Sequence, residues 1–499
     1  IPYMVTRITD VLGEDFAKQL SPWGIVRCTN KEFNGRIEYN TELTGISILD
    51  YMVLYKKYIL TKQESYSLAN ISEVELGHSK LDHSEYKTWR EFHTNGWQEK
   101  FVPYNVVDSL LIKQLDDKLN LIRIVVTVAY KAGINFEDVS SPVKTWDSII
   151  HNALLSENVV IPQPSRARLQ PLDGAYVKEP VPGRYRNVSS IDATSLYPSE
   201  IITNNISPET YVGNVGTTIE DYLNDATTAI FGDDEYVVTP AGARYSKKIR
   251  GILPRLMIQY MADRRATKNE MLRLEQLYEQ TKEESLPNQI AALDAHQNAI
   301  KVLMNSLYGA TANEHFRFFK HDHAASITLS GQYMLRTIEN RLDALLDEKF
   351  GLVGGKYVLY IDTDSVYLNL DSVINKFKIP REKAREALER MTKEIVSPLV
   401  NKLCQECCDK MGSYENKISF KLEVSAPDGA IFVGKKKYAL KVESSEGVVF
   451  DKPKFKVKGL EMVRSSTPKF IRDHLKDSLP LIFDGTEKQV QEFIEKTRQ

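Results

Sequence analysis

Two apolar runs of strand composition, separated by Asp362-Thr363-Asp364, constrain this chain more than any other feature. In KYVLYIDTDSVYLNL (356–370) both runs are rich in Val, Ile, Leu and Tyr, residue types that suit a pleated, packed surface. A short polar break between such runs predicts a β-hairpin. The hairpin carries its acidic groups at the tip.

A second acidic stretch, SSIDATSLYPSEI (189–201), reads as a short extended run, then Asp192, then a turn through Pro198. Carboxylates at strand ends can meet across a sheet and hold two divalent cations. Two metals about 4 Å apart stabilise both the attacking and the leaving oxygen of a phosphoryl transfer. Magnesium suits such a site because it takes few carboxylates and shares phosphate oxygens. The plainer explanation is that Asp favours turns in any protein. Against it, four fixed residues at about one in twenty each give on the order of 0.003 chance occurrences of DTDS in such a chain.

Residues 255–307 have a helical pattern, interrupted near Ser285-Leu286-Pro287. That predicts two long antiparallel helices joined by a polar tip. Arg264 and Lys268 stand four apart on one face. Lys301, Asn305 and Tyr308 share a face of the second helix, and Gly309 reads as its stop. Taken singly, each is explained by the charged exposed face that most helices carry. Flanked by strand-tip carboxylates, the Arg and Lys side chains would hold a triphosphate.

The 499 residues are 42% hydrophobic and 26% charged, an ordinary soluble composition that predicts several domains. The net charge of -2 does not itself indicate nucleic acid, though local patches matter more than the total. No apolar run is long enough for a membrane span, and the N-terminus is neither a signal nor a transit peptide. It also lacks an initiator Met, so a fragment is expected. Cys404, Cys407 and Cys408 fall in a helical stretch with no second ligand pair nearby, so zinc is not expected. With Cys28 they are sparse thiols that fit a reducing cytosol.

Asn34-Gly35 lies between two extended runs and predicts a hairpin. The Pro-rich stretch 160–184 predicts a boundary, and 185–250 strands and turns. Residues 430–459 are strand-rich and dense in Lys, and the last 40 residues look helical.

DATSLYPS, KVLMNSLYGA and YIDTDS, in that order, resemble motifs A, B and C of the family B DNA polymerases. NISPET, GKKKYAL, KVKGLE and SSTPK look like the branch found in T-even-type bacteriophages. The resemblance covers essentially the whole chain.

It implies a multidomain α+β protein: a truncated RNase H-like exonuclease domain (1–120), a connecting segment (121–163), an antiparallel-sheet palm (164–250 and 314–459), helical-hairpin fingers (251–313) and the start of a thumb (460–499). It implies that Asp192 and Asp364 bind two magnesium ions, with Asp362 as a supporting carboxylate and Glu423 at the position of a third palm acid. Leu196 and Tyr197 would line the incoming sugar, Tyr197 as the steric gate. Arg264, Lys268 and Lys301 would grip the triphosphate, with Asn305 and Tyr308 beside the nascent base pair and Gly309 allowing close approach. Lys435, Lys436, Lys437, Tyr438, Lys456 and Lys458 would contact the primer-template duplex. Tyr104 and Asp108, in VPYNVVDSL, resemble the third exonuclease motif, and the Asn34-Gly35 hairpin the strand-separating hairpin of the branch.

Several departures accompany the likeness. The first exonuclease motif is absent and the second would fall before Ile1. One carboxylate cannot build a two-metal nuclease site, so an upstream exonuclease chain would be needed to complete it. Most of the thumb, and the C-terminal tail that engages a sliding clamp, are also missing. A separate thumb segment, or weak and salt-sensitive DNA binding, is then expected. Leu172 stands where the family usually has an aromatic residue, and the fingers tip is short. The expected activity is addition of dNTPs to a primer in the cytoplasm of an infected bacterium. The alternatives are a fragment that binds primer-template without turnover, and a nuclease subunit, which the missing acidic motifs disfavour.

Overall fold

The structure, a computed structural model, describes residues 1–33, 36–59, 63, 65–161, 171–464 and 466–498. The chain forms two compact units, residues 1–60 with 67–149, and residues 61–66 with 150–499. The division falls inside the helix Pro142–Ser156, ahead of the Pro-rich stretch at 160–184, whose residues 162–170 lie outside the described ones.

The smaller unit is mostly helical. Strands β1 (Val26–Phe33) and β2 (Arg36–Leu43) pair antiparallel from Val26↔Leu43 to Phe33↔Arg36. The turn expected at Asn34-Gly35 lies outside the described residues. The helix Leu121–Ala132 buries Leu121, Ile124, Val125, Val128, Ala129 and Ala132, the spacing of one apolar face at 3.6 residues per turn. Asp50 caps Tyr51–Tyr58 by accepting from the N–H groups of Met52 and Val53. Among the described residues of this unit β1 and β2 are the only strands, so the wider sheet implied by an RNase H-like domain is not seen there.

The larger unit holds β3 (Gly183–Tyr185), β4 (Val188–Ala193), β5 (Tyr211–Asn214), β6 (Tyr236–Val238), β7 (Ala243–Ser246), β8 (Val358–Asp362), β9 (Ser365–Asn369), β10 (Phe420–Ala426), β11 (Ala430–Gly434), β12 (Lys437–Ser445) and β13 (Val448–Lys458). Strands β5, β7 and β6 make a small sheet, and the others one antiparallel sheet of eight strands. Its order is β3-β11-β12-β10-β4-β9-β8, with β13 along the other edge of β12.

The expected β8–β9 hairpin forms, and its unbroken apolar runs have a physical reason. Ile361, Val366 and Leu368 face a helical layer that includes Leu335, Ile338 and Leu342 of His321–Phe350 and Leu403 and Cys404 of Ser397–Lys410. Tyr360 and Tyr367 face the opposite way, into an aromatic cluster with Phe432 and Tyr438. A strand covered on both faces reads as continuously apolar rather than alternating.

Two local expectations differ. Leu196–Thr203 is a helix, not a turn; Pro198 sits in its first turn, where a missing N–H costs no helical bond. The antiparallel pair Ile252–Thr281 and Leu286–Thr311 is present, but the second helix runs through Gly309 to Thr311. A Cβ at Gly309 would meet nothing within 4 Å, so the helix itself does not require glycine there. Among the described residues, no helix is long and apolar enough to cross a membrane.

Candidate active site

The carboxylates are placed by backbone pairing. Antiparallel β4 and β9 set Asp192 opposite Ser365, whose Oγ donates to Asp192 Oδ1 at 2.7 Å. Asp362 ends β8, and the tip turns sharply through Thr363 at φ 68. The Asp364 N–H donates to the Asp362 carbonyl at 2.7 Å, and the Ala193 N–H to the Asp364 carbonyl at 2.9 Å. Asp192 and Asp364 are thereby fixed side by side at the ends of neighbouring strands.

Their charges are compensated only in part, by the field of Lys456 on Asp192 and of Lys458 on Asp364. Burial, together with the negative fields of Asp364 and Glu423, pushes the Asp192 carboxyl up to about 7, against the pull of Ser365 and Lys456. Burial likewise raises Asp364, with Asp362 and Glu423 adding to it. Neither has an ion-pair partner among the described residues. Oxygen donors, desolvated and mutually repelling, are the set that a hard divalent cation would relieve. The described residues do not themselves draw three acidic, His or Cys side chains together as a preformed metal cage.

Asp362 is different. It is 4% exposed, and although burial raises its carboxyl, Lys458 at 2.8 Å and Lys436 at 3.2 Å outweigh that and hold it below the usual range. Glu423 accepts from Lys456 at 2.6 Å and from Ser190 Oγ at 3.0 Å.

Two cavities meet at Asp192. One, of about 390 Å³, is lined by Asp192, Asp364, Tyr197, Lys301 and Asn305, among others. The three motif segments, far apart in sequence, thus share one recess. Leu196 is buried, and the Tyr197 ring packs on Tyr308 with centroids 4.6 Å apart. Burial raises both phenols, that of Tyr197 to about 12. The second cavity, of about 760 Å³, shares Asp192, Ala193 and Ser195 and takes in Arg264 and Lys268. Arg264 Nε donates to Gln297 Oε1 at 3.3 Å, which aims the guanidinium. The three cations expected to act together are therefore divided, Lys301 in one cavity and the other two in its neighbour.

The basic strands are only partly free. Lys437 is exposed, and Lys435 reaches Glu179 at 3.6 Å, whereas Lys436, Lys456 and Lys458 are paired with acids of the site. Tyr438 is a correction. It is 2% exposed and its hydroxyl bonds that of Tyr367 at 2.8 Å, because the residue after Lys437 on β12 faces the aromatic core. It does not reach a surface that DNA could touch.

In the smaller unit, Tyr104 and Asp108 do meet, through a residue that sequence reasoning missed. Lys80 Nζ donates to Asp108 Oδ2 at 2.7 Å and to the Tyr104 hydroxyl at 3.3 Å. Ser365 and Lys421 at the sheet were also missed. Both are cross-strand neighbours of Asp192, visible only once the strand register is known.

Paired carboxylates on a sheet beside a cationic helical hairpin are residue types that can serve phosphoryl transfer. Residues 143–499 match DNA polymerase family B, and the chain belongs to that family. It is 35% identical to the DNA-directed DNA polymerase of Escherichia phage RB69, over 96% of this chain and 58% of that protein. It is 32% identical to that of Enterobacteria phage T4, over 99% of this chain and 60% of the relative. A DNA polymerase delta catalytic subunit of Dictyostelium discoideum is 25% identical over 95% of this chain and 40% of its own. The chain thus spans about three-fifths of the length of its two phage relatives.

Proposed function

We propose that this chain carries the polymerising centre of a DNA-directed DNA polymerase, which adds dNTPs to a primer 3′-hydroxyl. The observation that carries the reading is the shared recess of Asp192, Asp364, Tyr197, Lys301 and Asn305. In family terms, the eight-stranded sheet and its helical cover act as palm, the pair Ile252–Thr281 and Leu286–Thr311 as fingers, and 460–499 as the start of a thumb. Within the smaller unit, residues 1–120 would correspond to part of an exonuclease domain and 121 onward to a connecting segment. Asp192 and Asp364 would hold two magnesium ions, which when bound supply positive charge to the transferring phosphoryl group.

The chain's own residues do the positioning. Tyr197, wedged on Tyr308, forms a floor that leaves no room for a ribose 2′-hydroxyl. Lys301 meets the α-phosphate side, and Arg264 and Lys268 the far phosphates, by charge-assisted bonds. Asn305 borders the base pair. Lys436 and Lys458 keep Asp362 ionised and fixed, so the hairpin tip stays in place under Asp364. The primer 3′-oxygen bonds to the α-phosphorus, and the electron pair of the broken bond leaves on pyrophosphate. The hydroxyl proton passes to water. Orientation and preorganised charge supply most of the rate. The phage relatives support a site of action in the infected bacterial cytoplasm.

Primer extension by the purified chain with magnesium and dNTPs tests the proposal, beside an Asp364→Asn control. Extension by the parent and a loss of about 1,000-fold or more in the control is expected, the scale of removing a key electrostatic group. Binding of primer-template without extension by the parent would instead favour a DNA-binding fragment.

A further inference from the structure

The larger cavity contains two cations that the polymerase reading leaves without a task. Lys421 lies on β10 directly opposite Asp192 on β4, and residues so paired project from the same face of a sheet. It has no ion-pair partner among the described residues. Lys393 sits one turn before Ser397–Lys410, its only ion pair among the described residues a 3.7 Å contact with Glu389 that leaves it 54% exposed. Both line the cavity that also holds Arg264 and Lys268. Of the acids there, Glu423 is bound by Lys456, Glu446 lies within the electrostatic reach of Arg264, and Asp192 belongs to the carboxylate pair.

The division of the two cavities at Asp192 says which phosphates this one receives. In phosphoryl transfer the attacking and leaving oxygens lie roughly in line on opposite sides of the phosphorus. Asp364, Thr363 and Lys301 line only the smaller recess; Arg264, Lys268, Lys393 and Lys421 line only the larger one. A primer end held beside Asp364 therefore directs the leaving oxygen toward the four cations. We infer that Lys393 and Lys421, facing Arg264 and Lys268, bind the departing pyrophosphate and form its exit route. The inference rests on the polymerase reading of the same site. The shared chemistry is a diphosphate group, which could belong to bound dNTP or to released product. We assign it to the product because Lys393 and Lys421 come from the sheet and its helical cover rather than from the helical hairpin that carries Arg264 and Lys268.

The test is calorimetric titration of the whole chain with inorganic pyrophosphate and magnesium, and separately with a dNTP. Lys393→Gln/Lys421→Gln should weaken pyrophosphate binding about tenfold or more, the loss of charge-assisted bonds. Lys393→Arg/Lys421→Arg should retain it. Lys383→Gln/Lys402→Gln removes the same charge from exposed positions outside the cavity and should change it by about twofold at most. The inference is overturned if the parent binds no pyrophosphate, if the Gln pair at 393 and 421 binds as the parent does, if the outer pair loses as much, or if dNTP binding falls as far as pyrophosphate binding. Primer extension run in parallel separates the two readings. Extension without pyrophosphate binding sinks the exit site alone. Pyrophosphate binding at these lysines without extension sinks the polymerase reading and leaves an anion site.

Discussion

At the scale of single residues, a consequential buried carboxyl lies away from the chemistry. Glu200, in the helix that follows Asp192, is fully buried. One of its oxygens accepts from Asn204 at 2.8 Å, and the other has no partner among the described residues. Burial pushes its carboxyl up to about 8, from an ordinary 4.5. The folded state thus keeps a proton that the unfolded state gives up. Below pH 4.5 both states are protonated and nothing is lost; as pH rises from 4.5 to 8, stability falls. At pH 7 the cost is roughly 3 kcal/mol. Glu200→Gln should therefore unfold at a higher temperature than the parent at pH 8, with the gap closing toward pH 4.5. A calorimetric pH series checks this, and a gap independent of pH would refute it. Tyr438 shows the opposite kind of surprise, a polar group read as a contact that proves to be core.

At the scale of elements, the helix Ser397–Lys410 gives its three clustered cysteines a place in the core. Cys404, Cys407 and Cys408 lie on its inner face with Val400 and Leu403, against the sheet. Burial raises all three thiols, so little reactive thiolate forms near neutral pH. Cys28, on β1, is exposed. A thiol-specific alkylating reagent at pH 7.5 should modify Cys28 alone in the native protein and all four after unfolding. Peptide mass mapping decides it; rapid native labelling of Cys407 or Cys408 would show that this helix opens. The edge strand β13 follows the same logic of faces. Lys454, Lys456 and Lys458 alternate with Phe455 and Val457, which pack toward Leu479 and Phe483.

At the scale of the whole molecule, the net charge of -2 conceals a division of labour among the lysines. Those paired with Asp362 and Glu423 serve the site's own acids, while Lys437 remains exposed without an ion pair among the described residues. Counterion release then predicts that Lys437→Gln lowers the salt slope of primer-template binding by about 0.9, one phosphate contact. Lys456→Gln should lower it less, since Glu423 already holds that charge. Titrations by fluorescence anisotropy at several salt concentrations compare the two, and equal slopes for both variants would contradict the division.

The sequence by itself determined the hairpin of Asp362 and Asp364, the antiparallel helices of 252–311 and the residue types of the site. Each is written in local periodicity and composition, which neighbouring residues specify. It also carried the family, through three motifs in order. Tertiary structure alone decided that Asp192 and Asp364 share a recess with Lys301, that Arg264 and Lys268 open into another, that Lys421 faces Asp192, and that Tyr438 turns inward. Strand register and the facing of a side chain are set by pairing between segments hundreds of residues apart, and a shift of one residue exchanges the two faces of a strand. No local window of sequence contains that information.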